Sequence, residues 1–205
     1  MGTDGTTRDL NMTTHEYILR YYPEYHDIRR YPVARTVRIG KVADEWGILG
    51  NMAKCLLTVD GVTFPSSEHI YQIMRFSDTE LRKILLRDPS TYSMKRFKAK
   101  KHFNETRPDW HSHLVDIMRF VLSVKYEQCE AFRNELHRTG DLFIIEDETR
   151  RMKGKAADSF GAVLSFDGLE YIGPNLLGRL LMELRDAQVL KYSLPESLMD
   201  FSDLR

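Results

Sequence analysis

Cysteine is scarce in this chain, with two in 205 residues, so a disulfide framework is excluded. Cys55 and Cys129 each lie in an apolar or helical stretch. They read as small, reduced core residues, which places the protein inside the cell. Long apolar runs are missing too. None approaches the ~20 residues that cross a bilayer, so no membrane partner is expected. The Gly- and Thr-rich start lacks the apolar core of a secretory signal. Charge of one sign is also absent: 30 Lys and Arg face 30 Asp and Glu, a formal net charge of +0. Neither global basicity nor acid-driven disorder applies, and any anionic partner must be met by a local patch. There is no P-loop, no GxGxxG, no HExxH and no CxxC. His111 and His113 form the only close histidine pair, and positions two apart on a helix face different ways. They read as solvated or structural, and no metal site is expected.

What is present is one soluble domain with tails: 42% of residues are hydrophobic and 29% charged. Residues 1–13 read as a flexible tail, 14–45 as an accessory segment, 46–190 as the main domain and 191–205 as a weakly held C-terminal tail. Within 14–45, Tyr17, Ile18, Tyr21 and Tyr22 predict a short helix ending before Pro23. Leu57, Val59, Val62 and Phe64 alternate around Asp60-Gly61, a hairpin signal. Ser66 and Ser67 offer an N-cap, and Ile70, Tyr71 and Met74 follow at helical spacing. Pro108-Asp109 is expected to open a helix whose buried face is Trp110, Leu114, Ile117, Val121 and Val124. Residues 142–145 read as a buried strand, and 162–166 and 169–172 as strands flanking Asp167-Gly168. Pro174 is expected to start a helix with Leu176, Leu177, Leu180, Leu181 and Leu184 as its apolar stripe. Hairpins and helices without βαβ alternation argue an α+β fold, a single compact domain of helices around short β-hairpins.

Three features carry possible chemistry. Glu68, Gln72 and Arg75 lie at i, i+4 and i+7, next to Tyr71, and share a helix face. An acid, an amide and a guanidinium together suit a sugar phosphate; a solvated face with a salt bridge, or a dipole-favoured acid at a helix start, is the plainer reading. Lys95, Arg96, Lys98, Lys100, Lys101 and Arg107 crowd one stretch, with Phe97 and Phe103 between them. Cations meet phosphates and aromatics stack on bases, so this is the best anion surface; the alternative is a plain exposed loop. Residues 157–161, Ala-Asp-Ser-Phe-Gly, follow a basic stretch of Arg150, Arg151, Lys153 and Lys155, and by themselves signal only a turn.

Taken in order, the motifs resemble the NADAR (YbiA-like) family across residues 46–185. They are Gly50-Asn51-Met52, Asp60-Gly61, the run 65–72 ending Glu68-His-Ile-Tyr-Gln72, Arg107-Pro-Asp-Trp110, Met118-Arg119, Lys125-Tyr126, Thr139-Gly-Asp141, and the run 175–185 from Asn175 to Arg185. The resemblance implies an enzyme that breaks a ribose C1′–N bond without a metal or redox cofactor. Two lines of activity are implied by the family: removal of ADP-ribose from guanine, reversing DarT-type DNA modification, and cleavage of early riboflavin-pathway intermediates. The Gly-Asn-Met and Met118-Arg119…Lys125 patterns look more like the first. The expected partner is then ADP-ribosylated guanine in DNA or a related ribosyl nucleotide, with a DarT-type toxin as a possible cognate. A third reading is a module that holds ADP-ribose without turnover.

Carried over by motif, Glu68 is the first catalytic carboxylate. Lys95, with Lys98 as the alternative, is the amine for a Schiff-base route, and Asp158 is the second carboxylate. Asn51, Tyr71, Gln72, Arg75, Lys98, Arg107, Trp110, Phe160 and Gly161 are expected to bind substrate. Two positions depart from the family: Gly50 stands for the usual Ser, and Phe160-Gly161 for the usual Trp-Gly. The second departure leaves the family's Asp on Ala157 without a gap, or on Asp158 with one.

Overall fold

The computed structural model describes residues 12–205. The expected tail, residues 1–13, therefore lies almost wholly outside the described residues. At its end Thr13 caps helix α1 (Thr14–Tyr21) through a reciprocal box with Glu16. The helix stops before Pro23 and buries Tyr17 and Ile18.

Residues 14–45 do not sit beside the domain. They supply two of its strands. β1 (Arg29–Pro32) and β2 (Thr36–Ile39) precede the hairpin of β3 (Leu57–Val59) and β4 (Val62–Phe64). β5 (Phe143–Glu146), β6 (Val163–Leu164) and β7 (Glu170–Gly173) come late in the chain. β7 lies between β1 and β6, antiparallel to both, while β2 runs parallel to β5. A bridge between Asp147 and Ala162 joins the two small sheets. The Asp-Gly signals locate β3–β4 and β6–β7, but β1 and β2 are short strands whose partners are over a hundred residues away. Long-range pairing of that kind leaves no local signature.

Alternation along β5 divides the interior. Ile144 enters the main core, whereas Ile145 joins Tyr31, Ala162 and Tyr171 in a smaller one. Glu146, two residues after Ile144, falls on the main-core face.

Helix α2 (Ser67–Met74) is buried along its whole length. Ser66 caps it by accepting the His69 N–H, as its sequence predicts. α3 (Thr79–Leu86) and α4 (Leu114–Gln128) pack on it. Residues 91–105 run through one turn of α-helix, a π-helical stretch at Met94–Lys98 and 3-10 turns to Glu105, with a kink at His102. The expected helix from Pro108 begins only at Leu114, after a 3-10 turn at His111–His113. Arg107 grips Asp109 through two hydrogen bonds, and Ser112 Oγ donates to the Asp109 carbonyl. These bonds hold residues 107–113 in tight turns, yet Trp110 still lies buried with the helix's apolar face.

α5 (Glu130–Arg138) follows α4, and α6 (Thr149–Met152) follows β5. α7 (Leu176–Ala187) carries the expected leucine stripe, all of it buried. It starts after Pro174 because Asn175 takes φ +54°. Asn175 Nδ2 donates to the Ile144 carbonyl and its Oδ1 accepts the Glu146 N–H, so this residue fastens the end of β5. The C-terminal segment is not loosely held. It forms α8 (Glu196–Met199) and buries Leu198, Phe201 and Leu204, with Phe201 edge-on to Phe64. Asp203 accepts from Thr79 and pairs with Arg82. Among the described residues no helix is long and apolar enough to cross a membrane.

Candidate active site

The N-terminus of α2 fixes the central acid. The Asn51 carbonyl accepts the Glu68 N–H at 3.1 Å and the Ser67 hydroxyl at 3.2 Å. The Asn51 side chain is spent on the same joint: Oδ1 accepts from Ser67 Oγ, and Nδ2 lies 3.1 Å from Met118 Sδ. Asn51 thus orients the helix start. Lys125, fully buried, donates to the carbonyls of Ile48 and Gly50 and holds the loop that bears Asn51. A Cβ on Gly50 would lie 3.0 Å from Ile39 Cγ2, a tight approach that glycine avoids.

Glu68 is 3% exposed. Its Oε1 accepts from Gln72 Nε2 at 2.8 Å and pairs with Lys95 Nζ at 3.0 Å. The π-helical turn makes this possible: it seats Met94 in the core and turns Lys95, half-exposed, onto the acid. The Glu68 charge outweighs burial and holds the Lys95 ammonium above its ordinary pKa.

Tyr71 stands between Trp110 and Phe160, edge-on to both, with ring centroids 4.8 and 6.4 Å away. Burial raises its hydroxyl pKa, and the charges of Glu68 and Asp158 add to that. Phe160, half-buried, completes this aromatic cluster. Arg75 donates through Nε to Thr106 Oγ1 at 2.7 Å and lies 4.3 Å over the Phe103 ring. Among the described residues it forms no ion pair, and burial lowers its pKa despite Tyr71 nearby. A largely buried guanidinium without a carboxylate is a seat for an anion.

The opposite wall holds acids. Asp158, not Ala157, carries the carboxylate here. Its Oδ1 accepts the Phe160 N–H at 2.8 Å, and its backbone N–H donates to Glu148 Oε2 at 2.9 Å. The N–H groups of Leu176 and Leu177, at the start of α7, hold the carbonyls of Ser159 and Phe160. A Cβ on Gly161 would come within 2.5 Å of the Glu146 carbonyl, so this glycine permits the close approach of loop and strand. The Gly161 carbonyl accepts the Asn175 N–H. Glu146 joins the cluster: burial pushes it up to about 6, with Lys95 opposing and Asp158 and Glu68 adding. Glu146 and Glu148 do not stand out in the sequence, and Arg151 shows there only as part of a basic stretch. The signal that marks Glu146 is an acid at the end of a buried strand, and it has meaning only once β5 is placed.

Two expected binding residues are engaged elsewhere. Lys98 pairs with Asp88 at 3.0 Å, on the side of α2 where His69 Nε2 meets the Asp88 carbonyl. Arg107 pairs with Asp109 and also donates to Ser197, tying the C-terminal segment to the domain. In this structure both cationic groups are engaged by carboxylates. His111 stacks on Tyr17 at 4.1 Å. Among the described residues no three His, Cys, Asp or Glu side chains are grouped to hold a metal.

The fold and site together define an α+β domain that gathers buried carboxylates and one amine beside a cluster of aromatic rings. The chain belongs to the NADAR family: the NADAR domain matches residues 39–188. It is 30% identical over 183 residues to Riboflavin biosynthesis protein VVA0006 of Vibrio vulnificus, a match covering 89% of this chain and 46% of that protein. The chain thus spans about half the length of the Vibrio protein. It is 31% identical over 144 residues to N-glycosidase YbiA of Escherichia coli, covering 70% of this chain and 82% of YbiA. The NMR structure of E. coli YbiA matches with a TM-score of 0.60 and 29% identity, covering 75% of this chain and 84% of that one.

Proposed function

We propose that this protein is an N-glycosidase that hydrolyses a ribose C1′–N bond, with ADP-ribose on guanine in DNA as its substrate. The carrying observation is the buried Glu68 carboxylate, held by Gln72 and Lys95 beside Tyr71, within a cluster that includes Asp158 and Glu146. Bond cleavage develops positive charge at C1′, which a fixed carboxylate stabilises. Glu68 serves that role and Asp158 activates water. Lys95, held protonated by Glu68, is the proton donor to the departing nitrogen. The Schiff-base route requires Glu68 to take that proton first. Arg75 offers its guanidinium to a phosphate of the diphosphate.

Support for a nucleic-acid substrate comes from the rim. Phe97 and Phe103 are 67% and 56% exposed, interleaved with exposed Arg96, Lys100 and Lys101. Across the site, exposed Arg150, Lys153 and Lys155 form a second cationic segment. Lys95 and Arg151, one from each segment, both act on the Glu146 charge, which ties the two segments to the same acid cluster. A DarT-type toxin that attaches the group is the matching partner activity. The second reading, hydrolysis of a riboflavin-pathway ribosyl intermediate, is favoured by the Vibrio relative's name.

The test is incubation with an oligonucleotide carrying ADP-ribose on guanine, with release followed by mass spectrometry. Release supports the DNA reading. No release, with turnover of a ribosylaminopyrimidine phosphate, transfers the site to the second. Replacing Arg96, Lys100 and Lys101 with Ala should weaken binding to the modified oligonucleotide and flatten the slope of log K against log salt by about 2–3. An unchanged slope removes this rim from the interface.

A further inference from the structure

Behind Asp158 lies a second acid that the reaction above does not use. Glu148 is 2% exposed and sits at the start of α6. Its Oε2 accepts the Asp158 N–H, and Arg151 Nη2 bridges Glu148 Oε1 and Asp158 Oδ2 at once. A Cβ on Gly161 would lie 2.5 Å from Glu148 Cγ and 2.8 Å from Cδ, so the carboxyl lies flat on the Gly161 backbone. Asp158 itself reaches the pocket: its charge acts on Tyr71 and on Glu146, the same two side chains on which Glu68 acts.

We propose that Glu148 is a positioning residue for the glycosidase reading above, holding the Asp158 carboxylate in place with Arg151 as their shared clamp. Burial, then the hydrogen bond to Asp158 and its charge, push Glu148 up to about 8. Burial works against Asp158 as well, but the bonds from Glu148, the Phe160 N–H and Arg151 outweigh it and keep Asp158 low. At neutral pH the pair therefore holds one proton, on Glu148, which donates to an ionised Asp158. Above about pH 8 Glu148 ionises, that donor is lost, and Arg151 must serve two anions. The groups facing the pair are Arg151 on α6, Phe160 N–H on the 157–161 loop, Glu146 on β5 and, beyond Glu146, Lys95 and Glu68. Glu146 titrates near 6 and Lys95 above its ordinary value. Buried Lys125, on α4, also falls to about 8, but it is untouched in Glu148→Gln, so the part of the alkaline limb that this substitution removes belongs to Glu148.

Glu148→Gln imitates the protonated acid. It should keep kcat within a few-fold and lose the alkaline limb of the kcat–pH profile. Glu148→Ala should lower kcat by about 10²-fold with a smaller change in KM, as a misplaced group does. The probe is the ADP-ribosylated oligonucleotide with the full chain. A wild-type alkaline limb in Glu148→Gln overturns the proposal, and so does wild-type kcat in a folded Glu148→Ala. A second measurement does not depend on turnover: carboxyl ¹³C NMR titration of Asp158. Its pKa should rise in Glu148→Ala and stay low in Glu148→Gln. If wild type fails to release ADP-ribose, the substrate reading falls while the titration still decides the role of Glu148; an Asp158 titration unchanged in Glu148→Ala overturns that role.

Discussion

Glu68→Ala is expected to lower kcat/KM on the competent ribosyl substrate by about 10²–10⁴-fold, the range of a positioned acid–base group, with the fold retained. The fold should survive because little else rests on this carboxylate. Ser66 caps α2, and the Asn51 carbonyl binds the Glu68 backbone, which the substitution leaves in place. Lys95, half-exposed, returns to water when its partner goes. Glu68→Gln sharpens the test. Its amide oxygen can still accept from Gln72, so geometry stays while the charge at C1′ disappears. Both variants should bind ligand with near wild-type affinity and show nearly the same loss of rate. Steady-state kinetics with a thermal melt on each variant checks this. Wild-type kcat in Glu68→Gln would sink the assignment of charge stabilisation to Glu68. Retained binding without turnover in the wild type would instead favour a module that only holds the ligand.

Half of the site is legible in the sequence because local rules build it. The Ser cap, the apolar spacing and the i, i+4 relation together place Glu68 and Gln72 side by side on α2, and the structure joins them by a hydrogen bond. Tyr71 and Trp110 also meet, although Trp110 belongs to a turn and not to the first turn of α4. The other half depends on pairing between distant strands. Glu146 faces the pocket only because β5 pairs with β2 and is fastened by Asn175. No periodicity in residues 142–148 announces that. For the same reason residues 29–39 pass for an accessory piece: each strand is only four residues long, and its partner lies far along the chain. Charge alone does not show the partners of Lys98 and Arg107: that Asp88 and Asp109 engage them emerges only once the chain is folded.

The largest stability effect is expected at Lys125, which touches no substrate. Its side chain is fully buried, 4.5 Å over the Phe132 ring, and donates to the Ile48 and Gly50 carbonyls at 2.7 and 2.8 Å. Truncation to Ala leaves a cavity and two carbonyls without their donor. Large-to-small changes and lost buried hydrogen bonds together suggest a loss of about 4 kcal/mol or more, much of a domain's total. Lys125→Met fills most of the volume and should cost about 2 kcal/mol, the part due to the carbonyls. The pH dependence separates the two terms. Burial lowers Lys125 from 10.5 to about 8, so the folded chain releases this proton first. Between pH 8 and 10.5 the unfolded chain binds more protons, and stability from this residue rises with pH across that window. A neutral amine still has two N–H groups for its two carbonyls. Urea midpoints at pH 7.5 and 9.5 should therefore show the gap between wild type and Lys125→Met widening with pH. A gap that narrows would mean the ammonium is the favoured form in the fold. The effect should reach catalysis as well, because the loop that Lys125 holds carries Asn51, and the Asn51 carbonyl sets the Glu68 backbone. Under conditions where Lys125→Met is fully folded, its kcat should still fall, while affinity for a ligand held through Arg75 changes less.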